Sequence, residues 1–321
     1  MTDAVHDPTT SSADASGGVA LPTEAEPRLA FRIPRQSAAP AGPGRSDDAS
    51  VGVLVLHGFT GAVYGVRDWA LSLSPRYSIS APALPGHRTT WQDLGRTTWR
   101  DWYDHAADEL AELQAEHDRV VVAGLSMGGA LALRLAQDFG RETEGPGAAR
   151  ATGSAGRRPV DGVVVVNPAL SLHRRDARAA KLVSRFLTST AGIGNDVARP
   201  GMSEHAYPRT PVAGVVQLNE LMAVTTRDLG RIQAPVLVLR SRQDHIVSDA
   251  SHQRIMRRCS GPVETVVLPR SYHMTTLDHE AGVVNARTGR FVDAVAAGLC
   301  PITGLPLADP AASPGTGGDL T

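Results

Sequence analysis

A mostly parallel, doubly wound α/β sheet with a small helical cap is the architecture this sequence predicts, and three observations predict it. Short, continuous, β-branched runs recur along the chain, among them "VGVLVL", "VVVA", "VVVV" and "VLVL". Such runs suit strands buried on both faces, as in parallel sheets covered by helices. Stretches with helical spacing of apolar residues lie between them, so strands and helices alternate. Finally, "GLSMGG" joins an apolar strand directly to an amphipathic helix.

Taken in order, "LAFRIP" (Leu29–Pro34) reads as a short strand, and a loose Pro/Gly/Ser segment follows it to Ser50. "VGVLVLHG" (Val51–Gly58) is a buried strand with a glycine-rich exit. "YSISAPALPGH" is another, ending in a Pro-Gly loop. Trp99–Glu116 is a helix, with apolar positions at Trp102, Ala106, Leu110 and Leu113. Val120–Ala123 is the strand before the serine corner, and a helix runs on from Met127. The Gly/Ala/Arg-rich stretch Gly140–Pro159 reads as a surface insertion. Val160–Leu170, Ala234–Asp244 and Val263–Pro269 are further strands, and Asp278–Leu299 closes with a helix.

Between Ser171 and Asp228 no strand is evident and helical segments dominate, which predicts a helical cap over the sheet. The expected division is an N-terminal tail over 1–27, a core over 28–170 and 229–299, a cap over 171–228, and a flexible tail over 300–321. In open α/β sheets ligands gather at the carboxyl ends of the strands, beneath such a cap. The stripe Leu218, Leu221 and Met222, with Phe186 and Leu187 from an earlier helix, is its candidate substrate-facing surface. Ordinary core packing explains the same stripe.

Composition excludes several classes of function. The chain has 321 residues, 42% hydrophobic and 20% charged, with a formal net charge of −1. That balance argues against nucleic acid or an anionic membrane as the main partner. No apolar run approaches the roughly 18 residues a membrane span needs, so stable membrane insertion is not expected. The first residues carry only acidic charge until Arg28, unlike a secretory signal. Cys259 and Cys300 have neither CxxC spacing nor a histidine cluster beside them. No metal is expected, and a reducing cytoplasm is the expected location. Neither a dinucleotide fingerprint nor a Walker A lysine is present, so no cofactor is expected. A homo-oligomer remains open.

The chemistry is concentrated at the corner. A serine lifted clear of the backbone between a strand and a helix N-terminus, with small residues flanking it, matches a nucleophile elbow. A serine hydroxyl needs a base, and the base needs a partner to fix its tautomer. On this architecture the chain order is serine, acid, histidine. Asp244 stands just past a late strand, with Asp249 as rival at the start of the following helix. His273 lies in the loop after the last strand; His279, at a helix start, is expected on the surface. His245, beside the proposed acid, is a minor alternative. Two backbone N–H donors must receive the oxyanion. Met127, directly after the serine, supplies one, and Phe59 in "LHGFTG" the other. His57 reads as a buried residue that shapes this loop.

The segments "LVLHGFTGA", "APALPGH", "TTWRDWYDHA", "VAGLSMGGALALRLA", "APVLVLRSRQDHIV" and "SYHMTTLDHE" occur in order. Together they resemble the α/β-hydrolases, in particular the bacterial carboxylesterase and monoacylglycerol lipase branch. The resemblance runs from about Val51 to Leu299 and is weakest in the cap. It implies the α/β-hydrolase fold, a Ser126–Asp244–His273 triad, an oxyanion hole from Phe59 and Met127, and hydrolysis of small carboxylic esters. Two departures stand out: Arg88 follows "PGH" where the family often has glycine, and the Gly140–Pro159 insertion is unusual. A small-molecule ester is the expected partner. The same machinery could act on a thioester, an amide or a carbon–carbon bond, and a non-catalytic binding protein is the remote alternative.

Overall fold

The structure is a computed structural model that describes residues 30–34, 49–87, 89–140, 158–173, 180, 184, 186–192 and 195–307. Seven strands form one sheet in the order β1-β3-β2-β4-β5-β8-β9. They are β1 (Phe31–Ile33), β2 (Val51–Leu56), β3 (Ser78–Ala81), β4 (Arg119–Leu125), β5 (Gly162–Val166), β8 (Val236–Ser241) and β9 (Val263–Leu268). Only β1 runs antiparallel to its neighbour.

Side-chain alternation along these strands builds two cores, one on each face. Leu54, Leu56, Val120, Val122, Val163, Val165, Val236 and Val238 share a core with Trp102, Leu110, Leu131 and Leu221. The intervening Val53, Val55, Val121, Ala123, Val164, Val166, Leu237 and Leu239 join Trp69, Leu73, Phe291 and Val292 on the other side. Helices α1 (Tyr64–Leu73) and α7 (Ala281–Ala296) cover that second face. The first face is covered by α3 (Trp99–Glu116) and α4 (Met127–Asp138), and α5 (Val212–Arg227) packs on those two helices. Two further short helices are α2 (Trp91–Leu94) and α6 (Ala250–Arg258).

The start of α3 follows from local chemistry. Thr98 accepts the Asp101 N–H at 3.3 Å while Asp101 accepts the Thr98 N–H at 2.7 Å, a reciprocal capping box.

The cap corrects one expectation. Besides α5 it contains a two-stranded antiparallel hairpin, β6 (Ser189–Ala191) with β7 (Arg209–Pro211). Each strand is three residues long, too short for alternation to register in a sequence. Phe186 and Leu187 are not in a helix and do not face inward: they are 87% and 42% exposed. The start of the expected C-terminal tail folds back, Leu307 donating its N–H to Gly298 at 2.7 Å. Residues 1–27, Arg88, 141–157 of the insertion and 308–321 lie outside the described residues. Among the described residues no helix is long and apolar enough to cross a membrane.

Candidate active site

β4 ends at Leu125 and α4 begins at Met127, which leaves Ser126 alone on the corner with φ 54° and ψ −115°. That region is strained for a side chain, so the surroundings must over-determine it. They do so with three backbone bonds: Ser126 N–H to the Val166 carbonyl at 2.9 Å, and the N–H groups of Ala130 and Ala169 to the Ser126 carbonyl at 3.1 and 3.0 Å. The tight approach of strand and helix explains the flanking glycines. A Cβ on Gly124 would lie 2.2 Å from the Gly128 carbonyl oxygen, and one on Gly128 would lie 2.1 Å from that of Leu56.

Asp244 stands in the loop after β8. Its Oδ1 accepts the N–H groups of Ile246 and Val247, both at 2.8 Å, and its Oδ2 lies 2.8 Å from His273 Nδ1. A carboxylate only accepts, so Nδ1 carries the proton and Nε2 is left as the basic nitrogen. Burial alone would push the His273 imidazolium down, but the Asp244 carboxylate, with Glu204 and Asp196 beyond it, holds the ring above the ordinary histidine value. Burial likewise works to raise Asp244, and the imidazole with two backbone N–H groups outweighs it and holds the carboxyl below its usual range.

Ser126 and His273 open on one cleft, which they line with Gly58, Phe59, Met274 and Glu204. It encloses about 320 Å³ of empty space, part of it continuous with solvent. Glu204 reaches it from the long connection between β6 and β7. Burial, reinforced by Asp196 and opposed by His273, pushes this carboxyl up to about 7.

The other sequence candidates divide between the cleft, the surface and the core. Phe59 lines it, and Met127 is fully buried as the first residue of α4, where a helix leaves its N–H without an intrahelical acceptor. Asp249 is exposed, immediately precedes α6 and pairs with Arg240. His279 is exposed. His245 turns to Asp196, with its Nδ1 at 2.7 Å from Oδ1. His57 is buried, donates from Nδ1 to the Gly58 carbonyl at 2.9 Å and accepts the Leu84 N–H on Nε2 at 3.1 Å. Burial lowers it to about 4, so it stays neutral and shapes the loop that carries Phe59. Leu218, Leu221 and Met222 are not among the residues lining the cleft. They are buried in the core that also holds Met127 and Trp102, because the apolar face of α5 packs on the helices beneath it.

Three residues at the site escaped the sequence reading. Glu204 and Asp196 belong to the cap, where no periodicity marks them. Asn167 directly follows β5 with φ 45° and donates to the His273 carbonyl at 2.7 Å. A polar residue closing the run "VVVVNP" was a signal for it.

The model of the alpha/beta hydrolase family matches residues 53–286, which include every residue of the cleft and most of both cores. This chain belongs to the alpha/beta hydrolase family. Among relatives of this hydrolase, the thermostable monoacylglycerol lipase of Bacillus sp. (strain H-257) is 33% identical over 258 residues, 78% of this chain and 94% of the relative. The carboxylesterase of Bacillus subtilis (strain 168) is 24% identical over 246 residues, 75% of this chain and 92% of the relative. A structure of the metagenome-derived lipolytic enzymes LipS and LipT superposes with a TM-score of 0.69 at 30% identity, covering 77% of this chain and 94% of that one. The Paleococcus ferrophilus monoacylglycerol lipase shares the fold, with a TM-score of 0.60 at 16% identity, over 84% of this chain and 98% of its own.

Proposed function

We propose that this chain hydrolyses carboxylic esters of short to medium acyl chain length, with Ser126 as nucleophile, His273 as base and Asp244 orienting the imidazole. Its family, and relatives that include a monoacylglycerol lipase and a carboxylesterase, support the reaction class: it is a carboxylic ester hydrolase. One observation carries the residue assignment. The buried 2.8 Å bond between Asp244 and His273 opens on the same cleft as the strained corner at Ser126.

In the first half-reaction His273 Nε2 takes the Ser126 proton as Oγ attacks the ester carbonyl. The oxyanion forms against the backbone N–H groups of Phe59 and Met127, each such donor contributing about 3 kcal/mol. The tetrahedral adduct collapses, and His273 returns the proton to the leaving alcohol. Water then gives a proton to His273 as it attacks the acyl-enzyme, and collapse of the second adduct restores the Ser126 hydroxyl and releases the acid.

The cleft suggests the substrate. The cleft is small, and its roughly 320 Å³ includes space open to solvent. Glu204 is the acidic group within it and can accept hydrogen bonds from alcohol hydroxyls. A monoester of a small polyol, such as a monoacylglycerol, satisfies both features, whereas a triacylglycerol offers no free hydroxyl and more bulk. Each buried CH₂ adds about 0.8 kcal/mol until the pocket is full.

The test is kcat/KM over monoacylglycerols and p-nitrophenyl esters of graded length. Values should rise from acetyl to about hexanoyl–decanoyl and then fall, as that increment predicts for a pocket of fixed size, with triolein barely cleaved. A monotonic preference for acetyl, or strong turnover of triolein emulsions, would overturn the substrate assignment.

A further inference from the structure

A second histidine–carboxylate pair stands beside the first, and its carboxylate comes from the cap. Asp196 lies in the connection between β6 and β7. Its Oδ1 lies 2.7 Å from His245 Nδ1, and its Oδ2 accepts the His245 N–H at 3.2 Å and the His273 N–H at 3.1 Å. Its main-chain carbonyl accepts the Met274 N–H at 3.0 Å. His245 directly follows Asp244 in the chain, so one cap residue grips the loop after β8 at the acid and the loop after β9 at the base. The His245 ring also meets Tyr272 edge-on, with centroids 4.5 Å apart. The Asp196 side chain is only 14% exposed, so its bonds are poorly exchanged for bonds to water.

We infer that Asp196 is a positioning residue: it fixes the separation of the loops bearing Asp244 and His273 and places a second carboxylate beside the imidazole. This rests on the reading of Ser126, His273 and Asp244 given above. Two loops from different strands hold an acid and a base at 2.8 Å only if their backbones cannot drift apart. Asp244 anchors its own loop through Ile246 and Val247, and Asn167 holds the His273 carbonyl, but neither bond ties the residue after the acid to the base. Asp196 does. A misplacement of about 1 Å is enough to cost on the order of 100-fold in rate.

The second effect is electrostatic. The charged and titratable groups facing His273 are Asp244, Glu204 and Asp196, and those facing Asp196 are His245, His273 and Glu204. Asp196 therefore favours the imidazolium that forms in each half-reaction. The neighbouring Asn195 extends the same grip to the other wall of the cleft. Its Oδ1 accepts the Glu204 N–H at 3.0 Å, and its Nδ2 donates to the Met202 carbonyl at 2.6 Å. Displacing this segment of the cap would thus disturb Glu204 and His273 together.

The experiment is the pH profile of kcat/KM for p-nitrophenyl butyrate with wild type, Asp196→Asn and His245→Phe. Each protein is first checked by melting temperature and by fluorophosphonate labelling of Ser126. Asp196→Asn removes the charge and one strong acceptor. Its plateau should fall about 10- to 100-fold, and its acid limb should move to lower pH, because His273 loses a carboxylate that favours its protonated form. His245→Phe keeps that charge and the two backbone bonds, so its plateau should fall a few-fold with the limb unmoved. A wild-type plateau and limb in folded Asp196→Asn would overturn the proposal. A lowered plateau with an unmoved limb in that variant would also overturn it, leaving only a structural role. If Asp196→Asn does not fold, Asp196→Ser, which also lacks the charge but keeps a hydroxyl acceptor, is read by the same two outcomes. Absence of Ser126 labelling in wild type would contradict the underlying reading of the triad rather than the role of Asp196.

Discussion

Asp244 Oδ2 lies 2.8 Å from His273 Nδ1, and the two side chains are only 6% and 7% exposed. In so dry a setting the carboxylate favours the imidazolium strongly, while attack on an ester needs the neutral ring. The acid limb of kcat/KM should therefore lie above the ordinary histidine value of about 6.5. The pair also ties stability to pH. The raised His273 contributes stability that is lost as pH rises through its folded value, and the lowered Asp244 contributes stability that is lost as pH falls through its own. Asp244→Asn should shift the limb downward and cut the plateau by roughly 10⁴-fold, because the imidazole loses its tautomer partner. A limb left in place in that variant would speak against the pairing.

The rivals of this pair should prove nearly inert. Asp249 is exposed and paired with Arg240, and His279 is exposed at the start of the segment leading into α7. Asp249→Asn and His279→Ala should each keep turnover within about three-fold of wild type, as surface changes away from a site usually do. Steady-state kinetics on both variants, beside His273→Ala, decide the point.

Glu204 offers a test in which stability and activity move in opposite directions. Its carboxyl is pushed up to about 7, so ionising it in the folded protein is unfavourable. Glu204→Gln should melt at a higher temperature than wild type at about pH 8, with the gain shrinking as pH falls toward the ordinary carboxyl range. The same variant should raise KM for monoacylglycerols more than for p-nitrophenyl esters, whose leaving group lacks the hydroxyls.

The corner itself can be probed through packing. A Cβ on Gly128 would sit 2.1 Å from the Leu56 carbonyl oxygen, a backbone atom that cannot swing aside. Gly128→Ala should destabilise by about 2–3 kcal/mol, measured by urea denaturation, and should reduce activity in the fraction that stays folded.

The frame of the molecule was legible because buried parallel strands leave a strong trace. "VGVLVL", "VVVV" and "VLVL" became β2, β5 and β8, each starting within two residues of expectation and ending two to four residues before it. The helix expected over Trp99–Glu116 has those bounds. The cap was only partly legible. The strands β6 and β7 are short and their pairing is non-local, so nothing in the local pattern announces them. For the same reason Asp196 and Glu204 gave no signal: their roles come from a fold that carries them across to His273. The stripe through Leu218, Leu221 and Met222 was visible but ambiguous, since an apolar helix face reads alike over a pocket or over a core.

The most direct test of the central claim is to locate the nucleophile. The wild-type chain is treated with a fluorophosphonate, and the adduct is mapped by mass spectrometry beside the turnover of Ser126→Ala. The adduct should fall on Ser126, and the variant should fold normally while losing about 10⁴-fold or more of the activity. An adduct on Ser271 or any other serine, with wild-type turnover in Ser126→Ala, would contradict it.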